Sequence, residues 1–231
     1  MPRSGRLLAA LALGWWFATA ALPAVEATAR TAKYVADIER IAAAPAPAPG
    51  GVLLIGSSIF RKWTTCAADL APLPVTNRAF GGSQTPEQLF FFDRLVPSSR
   101  AAVVVWYCGS NDVNAKGTPE AVLTNTREWL ALTRAALPGV RVVLVSVIRA
   151  PQKRADGKLA PVDEINRGLL ALGEAEDVDY LDVNPALENA AGEPVAECYV
   201  ADQLHLSAEG YRRLTAALRP VLEKLRPVPG A

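Results

Sequence analysis

Residues 52–60 read Val52-Leu53-Leu54-Ile55-Gly56-Ser57-Ser58-Ile59-Phe60, and this segment is the strongest indication of the fold class. Four consecutive apolar residues, then glycine and two small polar residues, are typical of a buried strand that turns directly into a helix. A serine on the first turn of that helix would lie at the carboxyl edge of a sheet, in the positive end of the helix dipole. The segment predicts an α/β sheet with a candidate nucleophile at its edge, although an ordinary serine N-cap explains the same residues.

The same alternation continues along the chain. Predicted strands cover 52–55, 75–79, 101–108, 140–148 and 178–183, and predicted helices cover 59–70, 86–95, 119–137, 162–176 and 208–225. Apolar strands separated by amphipathic helices imply parallel pairing through right-handed crossovers. The sequence therefore predicts a three-layer α/β/α sandwich with a five-stranded parallel sheet. In such sheets the ligand site lies at the carboxyl ends of the strands.

The N-terminal segment is typical of export. Arg3 and Arg6 precede an apolar run, and Ala18-Thr19-Ala20 is a candidate cleavage site. We expect a signal peptide over 1–20, cut no later than about residue 27, and a secreted or periplasmic protein with no stable membrane insertion. An uncleaved anchor over 7–25 is the alternative. Residues 21–50 then form a helical lead-in and a Pro/Ala linker, 51–226 the folded domain and 227–231 a tail.

Composition narrows the function classes. Nucleic-acid-binding proteins usually carry a strongly basic face, and a net charge of +1 gives no electrostatic reason to expect a nucleic-acid partner. The sequence has three cysteines, Cys66, Cys108 and Cys198, and they form no Cys-x-x-Cys or Cys/His cluster. We therefore expect no metal site and no metal cofactor. A disulfide between Cys108 and Cys198 and free buried thiols both remain open.

A single histidine limits the available chemistry. His205 lies three residues after Asp202, and no other histidine occurs in the sequence. At that spacing the Asp202 carboxylate could accept a hydrogen bond from Nδ1–H of the ring, which leaves Nε2 free to take a proton from a nucleophile. A solvated surface histidine is the alternative.

Two more strand ends carry polar or flexible residues. Phe80-Gly81-Gly82-Ser83 follows the second predicted strand, and Asn111 follows the third. Glycines let the backbone approach a substrate, and a neutral amide can donate a hydrogen bond, although plain turns explain each segment alone. Together with the serine and the Asp-x-x-His pair, they provide the nucleophile, base, orienting group and oxyanion donors that acyl transfer requires.

These blocks, in this order over about 51–225, resemble the SGNH (GDSL-type) hydrolase family of esterases, lipases, acyl-hydrolases and carbohydrate esterases on a flavodoxin-like fold. The resemblance implies a cofactor-free serine esterase acting on a small-molecule, glycan or lipid ester, with catalytic Ser58, Asp202 and His205. It also implies an oxyanion hole formed by Ser58, Gly82 and Asn111. The family's first block is Gly-Asp-Ser, and here Ser57 replaces the aspartate; Gly-Ser-Ser followed by Arg61 and Trp63 resembles a bacterial subgroup.

The alternative function is a non-catalytic exported module that binds glycans or acylated ligands. Nucleotide binding is excluded because the loop after the first strand has Ser57 where a phosphate loop has lysine. The remaining expectations are structural. We expect core packing for Phe90, Phe91, Phe92, Trp106 and Tyr107, a solvated loop for Arg149, Lys153, Arg154 and Lys158, and a bracing or capping role for Asp112.

Overall fold

The computed structural model describes residues 29–44 and 48–225. The predicted signal peptide over 1–20, its cleavage region up to 27 and the tail over 227–231 lie outside these residues. Among the helices of the described ranges, none combines the length and apolar character that crossing a bilayer requires.

The strands form one parallel sheet of five, as predicted. They are β1 (Val52–Gly56), β2 (Val75–Asn77), β3 (Val103–Tyr107), β4 (Arg141–Val145) and β5 (Asp179–Leu181), in the order β2-β1-β3-β4-β5. Gly56 pairs with Tyr107, so β1 and β3 end level with each other. This order places the loops that follow β2, β1 and β3 side by side at one edge.

The helices cover both faces of the sheet. They are α1 (Ala29–Ala32), α2 (Val35–Ala42), α3 (Ser58–Lys62), α4 (Cys66–Asp69), α5 (Thr85–Phe90), α6 (Phe92–Leu95), α7 (Ser110–Asn114), α8 (Pro119–Ala136), α9 (Pro151–Ala155), α10 (Leu159–Glu176), α11 (Asn184–Leu187) and α12 (Ala208–Leu225). Short 3₁₀ turns occur at Pro97–Ser99 and Ala196–Cys198.

Alternate residues of each strand feed two separate cores. Val104 and Trp106 of β3 pack with α2, α5, α6, α8 and α10, whereas Val103 and Val105 pack with α3, α4, α11 and α12. The period-two side-chain direction of a strand produces this division. The three-layer α/β/α architecture is therefore confirmed. Trp106, Tyr107, Phe91 and Phe92 are buried as predicted, while Phe90 is only partly buried.

Some element boundaries differ from the predicted ones. The predicted helix 59–70 is two helices, because Trp63 leaves helical geometry at ψ 71° while its indole N–H donates to Asp69 at 2.6 Å. The predicted helix 86–95 is interrupted at Phe91, where ψ is 11°. Strand β4 is shorter than predicted, because the Asn166 side chain takes both backbone hydrogen bonds of Val147. The breaks at Trp63 and at the end of β4 thus coincide with side-chain hydrogen bonds, which hydrophobic periodicity does not encode.

The three cysteines are free and buried. Cys108 lies in the core on one face of the sheet and Cys198 in the core on the other. A sheet separates the two sulfur atoms, so the structure has free thiols and not the Cys108–Cys198 disulfide. Burial raises the pKa of the Cys108 thiol well above its usual value, which keeps it protonated and unreactive.

Candidate active site

The turn after β1 places Ser58 at the carboxyl edge of the sheet. Gly56 has φ +139°, and a Cβ atom there would lie 2.0 Å from the carbonyl oxygen of Tyr107, so only glycine fits between β1 and β3. The Ser57 N–H donates to that same carbonyl at 3.0 Å. Ser58 is then the first residue of α3 and is half-buried at the edge. Its N–H is one of those at a helix start that have no partner within the helix.

Ser58, His205 and Asp202 form a continuous hydrogen-bonded chain. The Ser58 Oγ atom lies 2.9 Å from His205 Nε2, and His205 Nδ1 lies 2.6 Å from Asp202 Oδ2. The other carboxylate oxygen of Asp202 accepts the N–H groups of Leu204 at 3.0 Å and His205 at 2.9 Å. The structure thus brings together the three residues that the sequence predicts to be catalytic.

The Asp202 carboxylate is held in its ionised form. Burial disfavours its charge, but hydrogen bonds from the His205 ring and from the N–H groups of His205 and Leu204 outweigh burial and lower the pKa of Asp202 to about 2. An ionised carboxylate at Nδ1 fixes the ring tautomer in which Nε2 faces Ser58 without a proton.

Helix α12 holds the His205 loop against α3. Tyr211 donates its hydroxyl to the carbonyl of Ile59 at 2.8 Å, and its ring stacks on Trp63 with centroids 5.7 Å apart and planes at 15°. A Cβ atom on Gly210 would lie 2.2 Å from the Cys198 carbonyl oxygen, so the start of α12 approaches the preceding loop closely. Helix α3 and the histidine loop are therefore joined directly.

The turn after β2 adjoins Ser58. A Cβ atom on Gly81 would lie 3.9 Å from Ser58 Cβ, and the next residue, Gly82, has φ +76°. The Gly82 N–H has no hydrogen-bond partner among the described residues. Gly81 is therefore the glycine that faces the serine side chain, and Gly82 provides an unused N–H one residue later.

The helical lead-in braces this turn, which the sequence did not reveal. Arg30 donates to the Gly82 carbonyl at 3.0 Å and to Glu87 at 2.6 Å, and Glu87 in turn accepts the Gln84 N–H at 2.6 Å. The Tyr34 hydroxyl lies 3.5 Å from the position of a Cβ atom on Gly82, and its ring packs edge-on against Phe80. The only sequence signal was the helix propensity of the lead-in.

Asn111 joins the same turn from β3. Its side-chain Nδ2 donates to the Ser83 carbonyl at 2.9 Å, and its backbone carbonyl accepts from Gln84 Nε2 at 3.0 Å. A primary amide carries two N–H donors, so one of them remains without a partner among the described residues. Gly82 and Asn111 thus lie on two linked segments, and each has one N–H donor that no other contact among the described residues uses.

Two buried ionisable side chains, those of Asp112 and Lys153, connect α7 to neighbouring helices. Asp112 accepts the N–H of Thr85 at 3.0 Å and its hydroxyl at 2.7 Å, which shows a bracing role, and burial raises the pKa of its carboxyl. Lys153 Nζ donates to the Ser110 carbonyl at 2.9 Å and to Asn114 Oδ1 at 2.7 Å. The expectation of a solvated loop was wrong for Lys153, whose exposure is 0% because it spans the space between α9 and α7.

The site is open to solvent and contains no metal-binding cluster. The side chain of Asp202 is 48% exposed and that of His205 is 16% exposed. Within the described residues no group of three or more His, Cys, Asp or Glu side chains could hold a metal ion. A hydroxyl, an imidazole and a carboxylate in line can move a proton away from the hydroxyl oxygen, which makes that oxygen nucleophilic.

Comparison with known proteins gives one family and one fold. Residues 54–213 match the model of the GDSL-like lipase/acylhydrolase family. A GDSL-like lipase from Bacteroides thetaiotaomicron is similar, with a TM-score of 0.69 and 22% identity over 84% of this chain and 97% of that chain. A presumed acylhydrolase from Bacteroides fragilis has a TM-score of 0.71 and 20% identity over 87% of this chain and 100% of that chain. None of the curated proteins compared with this sequence matches it.

Proposed function

The chain belongs to the GDSL-like lipase/acylhydrolase family, and from this premise we propose that it is a serine esterase that cleaves carboxylic esters. The single observation that carries the proposal is the chain of hydrogen bonds from Ser58 through His205 to Asp202, at 2.9 and 2.6 Å. Distances of this size are within the range over which a positioned base takes a proton.

The first half of the reaction forms an acyl-enzyme. Ser58 Oγ attacks the ester carbonyl carbon while His205 Nε2 takes the hydroxyl proton, and the ionised Asp202 stabilises the imidazolium. The carbonyl oxygen becomes an oxyanion. When the C–O bond to the alcohol breaks, the imidazolium returns its proton to the departing alkoxide, and the acyl group remains on Ser58.

The oxyanion needs donors that are already in place. In this proposal they are the N–H groups of Ser58 and Gly82 and the second amide hydrogen of Asn111. Their support is that none of the three is used by another contact within the described residues. Removing one such donor from a hydrolase typically lowers kcat by about 10²–10³.

Water completes the cycle. His205 removes a proton from a water molecule, the resulting hydroxide attacks the acyl carbon, and Ser58 leaves as its alcohol after it regains the proton from the imidazolium. Asp202 is half-exposed and His205 is partly exposed, which gives water access to the intermediate. The products are a carboxylic acid and an alcohol, and no redox or metal step is required.

The test uses two adjacent serines. We expect a fluorophosphonate probe to label the wild type and Ser57→Ala but not Ser58→Ala, and a panel of p-nitrophenyl esters to be hydrolysed in the same pattern. Ser57→Ala is the matched control because the Ser57 hydroxyl is buried and has no hydrogen-bond partner among the described residues. A wild-type protein that neither reacts with the probe nor hydrolyses any ester, yet binds acylated sugars, would instead be a non-catalytic binding module.

Export is proposed on the sequence alone. Arg3, Arg6 and the apolar run before residue 21 support secretion or a periplasmic location. N-terminal sequencing of protein recovered from a cell envelope fraction would test it, and we expect the mature chain to begin between about residues 21 and 28.

A further inference from the structure

A small cavity opens beside the nucleophile helix. It has a volume of about 210 Å³ and lies between α2, α3 and the end of β2. Arg40 and Arg61 line it together with the apolar residues Ile41, Trp63 and Ala79. None of the described residues that line it is an aspartate or a glutamate. The cavity is therefore positively charged on one side and apolar on the other.

Arg61 connects this cavity to Ser58. It follows Ser58 by three residues on α3, so the two side chains lie on the same face of the helix. A Cβ atom on Gly81 would lie 3.8 Å from Arg61 Cγ and 3.9 Å from Ser58 Cβ. The stem of Arg61 and the Ser58 side chain thus flank the same glycine.

The guanidinium of Arg61 has no protein partner. Its side chain is exposed and makes no hydrogen bond or ion pair within the ranges that the structure describes. By contrast, Arg30 pairs with Glu87 and Arg94 pairs with Glu39. An arginine presents five N–H donors in a planar fork that matches a carboxylate or a phosphate.

Arg40 adds less charge than Arg61, because the Asp37 carboxylate pairs with it at 2.8 Å. The Arg61 guanidinium, which no carboxylate within the described residues pairs with, attracts an anion, and the water-accessible setting limits the strength of the attraction.

We propose that this cavity holds an anionic group of the ester substrate, a carboxylate or a phosphate, and so selects negatively charged esters. The inference rests on the proposed esterase function, because it names the substrate class of the same site. Because Arg61 follows Ser58 by about one helical turn, an anion on its guanidinium and an ester at Ser58 can belong to one small molecule.

The test compares esters that differ in charge. The substrates are 4-acetoxybenzoate, 4-acetoxyphenyl phosphate and the neutral methyl 4-acetoxybenzoate, with release of the phenol followed by absorbance. The variant is Arg61→Gln, which keeps the side-chain stem against Gly81, and Arg127→Ala on α8 is the control because Arg127 is exposed and without a partner among the described residues. Each kcat/KM is expressed as the ratio of an anionic to the neutral ester.

We expect Arg61→Gln to lower this ratio about tenfold, mainly through KM, and Arg127→Ala to leave it unchanged. In the wild type the ratio should fall as salt is added, because screening weakens exposed charge pairs. Arg61→Glu should push the ratio below that of Arg61→Gln. A ratio lowered for only one anionic ester tells which anion, carboxylate or phosphate, the cavity binds.

The outcomes separate the two proposals. If the wild type hydrolyses the esters but Arg61→Gln leaves the ratio unchanged, or lowers both rates equally while the thermal midpoint stays constant, the anion site is wrong and the esterase stands. If the wild type hydrolyses none of the three esters and does not react with fluorophosphonate, the esterase proposal fails and the substrate-class proposal falls with it.

Discussion

Replacement of Lys153 by methionine should remove a pH dependence of stability that the wild type shows between pH 8 and 10.5. Lys153 is completely buried, and burial lowers its pKa from 10.5 to about 8. The unfolded chain therefore holds a proton on this amine over a pH range in which the folded chain has lost it. Where the unfolded state binds more protons, stability rises with pH.

The magnitude follows from the pKa difference. A difference of 2.5 pKa units corresponds to about 3 kcal/mol, since each unit is worth about 1.4 kcal/mol. The free energy of unfolding of the wild type should thus gain between about 2 and 3 kcal/mol from pH 7 to pH 10, relative to Lys153→Met. This gain in the free energy of unfolding is fully present above pH 10.5, and it is lost as the pH falls through about 8.

The assay is urea unfolding at pH 7, 8, 9 and 10 for both proteins. Other groups that titrate in this range are common to both, so the difference between the two curves isolates Lys153. Lys153→Arg is a second comparison, because arginine stays charged throughout and should also lack the rise. Wild-type and Lys153→Met stabilities that stay parallel from pH 7 to 10 would refute the buried, shifted amine.

Three further predictions concern the site and its supports. Asp202→Asn should lower kcat by about 10⁴, because the wrong tautomer of His205 is favoured. In the wild type, a plot of log(kcat/KM) against pH should have a slope of one on its acid side above pH 4, since the pKa of Asp202 is about 2. A slope of two would contradict this. Gly56→Ala should cost at least about 3 kcal/mol or prevent soluble expression, because its Cβ would lie 2.0 Å from the Tyr107 oxygen, and a normal thermal midpoint would refute it. Arg30→Ala should lower kcat severalfold with little change in KM, whereas Arg94→Ala, which breaks an exposed pair with Glu39, should lower neither.

The sheet could be predicted from the sequence because buried parallel strands consist of nearly continuous runs of apolar residues. β1 and β3 are buried at every residue, and both were placed within two residues of their observed ends. The helix breaks at Trp63 and Phe91 could not be predicted from the sequence. Helical periodicity contains no information about side-chain contacts such as the stack of Trp63 on Tyr211.

The triad was predictable for a different reason. Asp202 and His205 are close in sequence, and the sequence offers no second histidine, so the choice of base had one solution. The residues that support the proposed oxyanion donors were not predictable. Arg30 reaches Gly82 across 52 positions, and Lys153 reaches Ser110 across 43. Charged residues in a polar loop are usually solvated, so nothing in the sequence around Lys153 indicates that its amine supports α7.

Ser58 and His205 are separated by 147 positions, and the C-terminal helix links their loops through Tyr211, whose hydroxyl donates to the Ile59 carbonyl. A fragment that stops before α12 contains both residues but lacks this link. Recovery of ester turnover after dilution from denaturant should therefore report the last assembly event of the chain, and it should lag behind the return of far-ultraviolet circular dichroism from the earlier helices.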